Sequence, residues 1–171
     1  NLSLKIISDI SEKDTTKLNT LSENNKEQIE KLTETAIKNA DASEENAQLI
    51  AKVVDKTSDE IANKVITEVT KNSVDNKEAL SAKVLKSIVS INPDKIENLS
   101  NENKDIIIQQ TINAAKNQNE KKDDESDDLS GLIADIIVDA NAVTSGKLLQ
   151  ELDNTELDEG SDLNLSILDK L

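Results

Sequence analysis

The chain has 171 residues of only thirteen types, lacks Phe, Tyr, Trp, His, Cys, Met and Arg, and sets 20 lysines against 35 acids for a net charge of −15. Without Cys or His, zinc, haem, iron–sulfur and thiol chemistry lose their usual ligands and nucleophiles. A strongly acidic chain without an aromatic ring also lacks the basic footprint and stacking platforms of nucleic-acid binding. The apolar residues are Ile, Leu, Val and Ala at 35% of the chain, placed with a clear period, so folding rather than disorder is expected.

Taken in chain order, the apolar spacing is helical. It predicts helices near 2–10, 23–40, 44–56, 58–71, 76–90, 101–117, 129–142 and 145–153, with short helical turns near 14–20 and 93–98 and a last helix from about 163. Ile29, Leu32, Ala36, Ile37 and Ala40 make one stripe. Ile61, Ala62, Val65, Ile66 and Val69 make a second, and Leu80, Val84, Leu85, Ile88 and Val89 a third. Ser22, Ser43, Ser58 and Ser100 stand as N-caps, Asp75 and Glu78 have capping-box spacing, and Asn92 precedes Pro93 at a helix start. Strand-like alternation is confined to "DLNLSIL". No apolar run approaches the roughly 18–20 residues of a membrane helix, since Asp135 and Asp139 cut the densest stretch.

The chain also echoes itself, "TLSENNKEQI" at 20–29 against "NLSNENKDII" at 98–107. A shift of 78 aligns 4–40 with 82–118 without a gap. It makes identical pairs of Lys5/Lys83, Ile10/Ile88, Lys17/Lys95, Leu21/Leu99, Ser22/Ser100, Asn25/Asn103, Lys26/Lys104, Ile29/Ile107, Thr33/Thr111, Ala36/Ala114, Lys38/Lys116 and Asn39/Asn117. A shift of 83 lays 49–69 over 132–152 and brings Val84, Leu85 and Ile88 onto Ile167, Leu168 and Leu171. The expected organisation is a first helical unit at 1–81, a second at 82–164 with an acidic insertion at 119–128, and the start of a third at 165–171. Asn1 is not an initiator methionine, which also suggests part of a longer repeat protein. The fold class expected is all-α, a tandem repeat of short helices in an α-solenoid-like array. "INPDKIENLSNENKDII" resembles the helical repeats of flagellar switch proteins and of magnesium-transporter cytosolic domains, and that resemblance carries no site residue and no activity.

Site chemistry is sparse. Asp123, Asp124, Glu125, Asp127 and Asp128 form a weak calcium candidate, set against the plainer reading of a solvated acidic linker. Asp158, Asp162, Asn164 and Asp169 occupy calcium-hand positions 1, 5, 7 and 12, but Leu163 replaces the required glycine and Gly160 a ligand. No nucleophile-elbow or phosphate-loop pattern occurs, so no enzyme, cofactor or small-molecule substrate is expected. The recurring lysines Lys5/Lys83, Lys26/Lys104 and Lys38/Lys116 read chiefly as a solvated face, with salt bridges between units as the other possibility.

The sequence therefore points to a structural or assembly protein serving as filament subunit, scaffold or spacer. Its partner would be itself or another protein, and its setting secreted or at a bacterial cell surface, the cytoplasm being the other option. A peptide-binding helical array and a calcium-responsive adhesin segment are the alternatives.

Overall fold

Short polar side chains start the helices. The Ser43 hydroxyl accepts from the Asn46 N–H at 3.3 Å, Ser58 from Ile61 at 3.5 Å, and Ser100 from Asn103 at 3.2 Å. Each satisfies one of the amides that a helix leaves unpaired in its first turn. The computed structural model describes residues 2–20, 23–71, 77–121 and 129–154. They form α1 (Leu2–Lys13), α2 (Glu23–Lys38), α3 (Glu44–Lys56), α4 (Asp59–Lys71), α5 (Lys77–Ile91), α6 (Asn101–Lys121), α7 (Leu129–Asp139) and α8 (Ala142–Asn154). Two 3₁₀ turns, Leu18–Thr20 and Pro93–Ile96, complete the described residues, which contain no strand. The protein is all-α.

Four α-helix boundaries differ from the sequence expectation by three or more residues. The first helix runs on to Lys13, and α6 continues to Lys121. The seventh ends at Asp139 rather than near 142, because the Asn141 side chain accepts from the Thr144 N–H at 3.0 Å and starts α8 at Ala142 rather than near 145. Val138, Ala140 and Val143 carry apolar character across that break and hide it from a periodicity argument. Asn92 precedes a 3₁₀ turn without a side-chain cap, and its Nδ2 donates instead to Asp55 Oδ1 at 2.9 Å. Ser22, Asp75, the "DLNLSIL" stretch and the helix expected from 163 lie outside the described residues.

The helices stack as pairs in two rows. One row runs α1, α3, α5, α7, each packed on the next, and the other runs α2, α4, α6, α8. The rows face each other across a core of Ile, Leu, Val and Ala. Some helix boundaries keep the spacing of the sequence echo, though the starts of α1 and α5 and of α3 and α7 do not. Glu23 and Asn101 start α2 and α6 at 78 residues apart, and α4 and α8 lie 83 residues apart at both ends.

The centre of the stack is α5, which packs against α3, α4, α6, α7 and the Pro93–Ile96 turn. Buried on it are Leu80, Ser81, Ala82, Lys83, Val84, Leu85, Ser87, Ile88 and Val89, so it is covered nearly all round rather than along one stripe. The small Ser81, Ala82 and Ser87 let neighbouring helices approach closely. Leu85, fully buried, should therefore be costly to truncate. Leu85→Ala is expected to lose about 2–5 kcal/mol by urea unfolding followed by circular dichroism, while Leu149→Ala on exposed α8 stays within about 0.5 kcal/mol. Equal losses at the two positions would contradict the central place given to α5.

Candidate functional site

The most elaborated polar chemistry lies where α5–α6 sit on α3–α4. The Lys95 side chain, only 10% exposed, reaches the turn between α3 and α4. Its Nζ donates to the Thr57 carbonyl at 2.9 Å and to Asp59 Oδ1 at 3.0 Å. One ammonium thus sits at the C-terminal end of α3, where carbonyls are left over, and on the carboxylate that opens α4. At the other end of α3, the Lys83 ammonium donates to the Ala42 carbonyl at 2.9 Å.

Further along, Asn103 Nδ2 donates to the Asn63 carbonyl at 3.0 Å and to Asn63 Oδ1 at 2.9 Å, and the Ser100 N–H also donates to Asn63 Oδ1 at 2.7 Å. The Thr67 hydroxyl donates to Asn103 Oδ1, and Gln110 donates to the Thr70 carbonyl at 2.8 Å while accepting from Ser81. Every buried side-chain polar atom among the described residues has a partner. Directional bonds to named carbonyls fix register in a way that aliphatic contact cannot, because any other seating leaves buried donors unmet.

Two carboxylates, Asp55 on α3 and Asp41 in the turn ahead of it, respond to this setting. The Asp55 side chain is 7% exposed. Its burial works against the ionised form, but hydrogen bonds from Lys56 and Asn92 and the charges of Lys56 and Lys95 outweigh it, and the group sits below its usual value of 3.8. Asp41 is also held low, by hydrogen bonds from Ser43 and then Asn46.

The recurring lysines divide. Lys83 is buried at 5%, so the expectation of a solvated face fails there, since its ammonium is bonded to backbone instead. Lys5 and Lys38 are exposed, Lys38 pairs with Glu34 one turn away, and Lys104 donates to the Glu97 carbonyl. The side chain of Lys26 lies outside the described residues. So do all the calcium candidates, Asp123, Asp124, Glu125, Asp127 and Asp128 as well as Asp158, Asp162, Asn164 and Asp169. Among the described residues no three acids gather into a metal site. A cleft of about 140 Å³ between α2 and α4, floored by Ile29, Ile61 and Val65 and rimmed by Glu30, Glu34 and Glu68, is smaller than a typical ligand pocket of roughly 300–1,000 Å³.

The other notable surfaces are the two ends of the stack. The exposed large apolar residues among those described are Leu2 and Ile6 on α1, Leu32 on α2, Val138 on α7, and Val143 and Leu149 on α8, with only Ile91 placed elsewhere. No described helix is long and apolar enough to cross a membrane. Comparison with protein families, with curated proteins and with solved structures found no match.

The sequence marked Lys95 and Asn103 only as matches in the echo and Asn92 only as a helix cap, and gave no role to Gln110. The identities Lys17/Lys95 and Asn25/Asn103 were the available signal, since an aliphatic core gives no reason to repeat a lysine or an amide. Lys95→Met keeps the apolar stem and removes both bonds. It should cost about 1–3 kcal/mol in urea unfolding, whereas exposed Lys31→Met should change stability by about 0.5 kcal/mol or less. Equality of the two would dismiss the joint as a determinant of stability.

The pH dependence follows from Asp55. A lowered folded-state pKa gives stability that is present above the usual 3.8 and is lost as pH falls through the lower folded value. Asp55→Asn should therefore flatten the fall in Tm between about pH 5 and 2. A variant with an unaltered acid limb would show that Asp55 contributes nothing there.

Proposed function

We propose that this chain is a structural, non-enzymatic segment of a helical array, acting as a spacer or scaffold whose working surfaces are its ends. The observation that carries the reading is the division of its surface chemistry. Between α3–α4 and α5–α6 the contact is aliphatic and polar with its buried side-chain polar atoms satisfied, and among the described residues the exposed large apolar side chains other than Ile91 gather on the terminal pairs α1–α2 and α7–α8. Stacked arrays bury most of each pair against neighbours and leave only the outermost pairs incompletely covered. The tandem-repeat organisation, with units at 1–81 and 82–164, belongs to the same proposal. The avoidance of sulfur and aromatic residues together with high acidity favours a secreted or cell-surface setting.

A net charge of −15 makes identical copies repel one another, which favours a spacer over a self-polymerising subunit. Light scattering with refractive-index detection suits a chain that has no Trp or Tyr. The mass is expected to hold at 18.7 kDa as concentration rises at physiological salt. Open-ended growth of the mass would replace the spacer with a filament subunit.

A further inference from the structure

The outer face of α1 carries Leu2 at 75% exposure and Ile6 at 49%, with Lys5 and Asp9 also exposed. These four positions follow the i, i+3, i+4, i+7 spacing of a single helical stripe. Seventy-eight residues on, the corresponding stripe of α5 is Leu80, Lys83, Val84 and Ser87, at 1%, 5%, 0% and 7%. Of the helices packed on α5, α6 and α7 have counterparts on α1 in α2 and α3, whereas α3 and α4 have none, and Lys83 of the stripe bonds to the Ala42 carbonyl just ahead of α3. The first stripe is thus the second with its cover removed.

The polar residues make the comparison specific. Three side chains that reach back from the second half to α3–α4 are Lys83, Lys95 and Asn103. Their counterparts, Lys5, Lys17 and Asn25, are identical, and Ser22 matches Ser100. Packing inside the first half gives Lys5 and Lys17 no reason to be lysine, because both are exposed. Two other positions differ, Asn92 against Asp14 and Gln110 against Leu32, so the first face is the more apolar at α2.

The opposite end of the chain is not the complement. At the 83-residue shift Asp55, Asp59, Asn63 and Thr67 become Val138, Ala142, Gly146 and Gln150. The carboxylate and amide oxygens that receive Lys95 and Asn103 are missing there, so the tail of a second copy would leave those donors unmatched.

Resting on the stacking reading above, we propose that the α1–α2 face is a docking surface for a helix pair of the α3–α4 kind, supplied in line ahead of α1 as α3–α4 is supplied ahead of α5. The required occupant has an Asp opening its second helix to receive Lys17, an Asn one turn later where Asn63 stands on α4, an open carbonyl before its first helix to receive Lys5, and aliphatic cover for Leu2 and Ile6.

The test is an extended chain in which residues 41–79 are duplicated directly ahead of Leu2, recreating the junction that leads into Leu80. Docking is expected to slow amide exchange in α1 at least about tenfold and to raise Tm by about 5 °C or more. Lys5→Ala should lower Tm in the extended chain and leave the original unchanged. An added segment carrying Asp59→Ala and Asn63→Gly, the residues found on α8, should lose much of the gain. Unchanged α1 exchange, or a gain indifferent to Lys5 and to the two acceptors, would overturn the proposal. So would self-association of the unextended chain that Ile6→Lys abolishes, which would assign the face to a second copy. Lys83→Ala in the unextended chain separates the two levels. If it destabilises while the extension fails to dock, the stacking reading stands and the assignment of this face falls; if it is silent, the stacking reading itself falls.

Discussion

The arrangement depends on how a chain without aromatic rings or arginine fixes one helix pair upon the next. Ile, Leu, Val and Ala supply apolar burial without direction, and a sheet of aliphatic contacts tolerates sliding. Lys95 removes that freedom. Its ammonium is held between the last carbonyl of α3 and the carboxylate opening α4, and a seating one turn away would leave a buried charge unmet. Lys83 does the same at the start of α3, and Asn103 with Asn63 halfway along α4. Three directional anchors along one contact define both its register and its rotation.

The same economy explains why α5 has no amphipathic stripe. It takes cover from both sides, so its buried polar residues are short serines and one lysine bonded to a backbone carbonyl, and its solvated positions are few. Acidity then falls to the outer surfaces, where exposed pairs such as Lys31 with Glu27 contribute little. Charge keeps copies apart, aliphatic burial holds rows together, and the polar joint sets the geometry between them.

Much of this was legible in the sequence. Helix positions followed from apolar spacing, and Ser43, Ser58 and Ser100 marked starts because a hydroxyl before a stripe has one evident use. The break between α7 and α8 was expected, but its place was not legible, since Val138 and Val143 carry apolar residues across it and Asn141 alone marks the cap. Nor was the two-row stack, whose unit is a helix pair while the sequence echo spans two such pairs. The joint was half visible. A lysine that recurs at a fixed shift looks like a solvated residue until its environment is known, and only position in the fold separates buried Lys83 from exposed Lys5.

Native-state hydrogen exchange would test the claim that the polar joint binds the two halves into one cooperative body. The amides of α3 and α5 should open only with global unfolding and share one opening free energy, above that of α1, α2, α7 and α8. Two separate opening energies, one for α1–α4 and another for α5–α8, would contradict it, because the joint would then be a contact between independent halves.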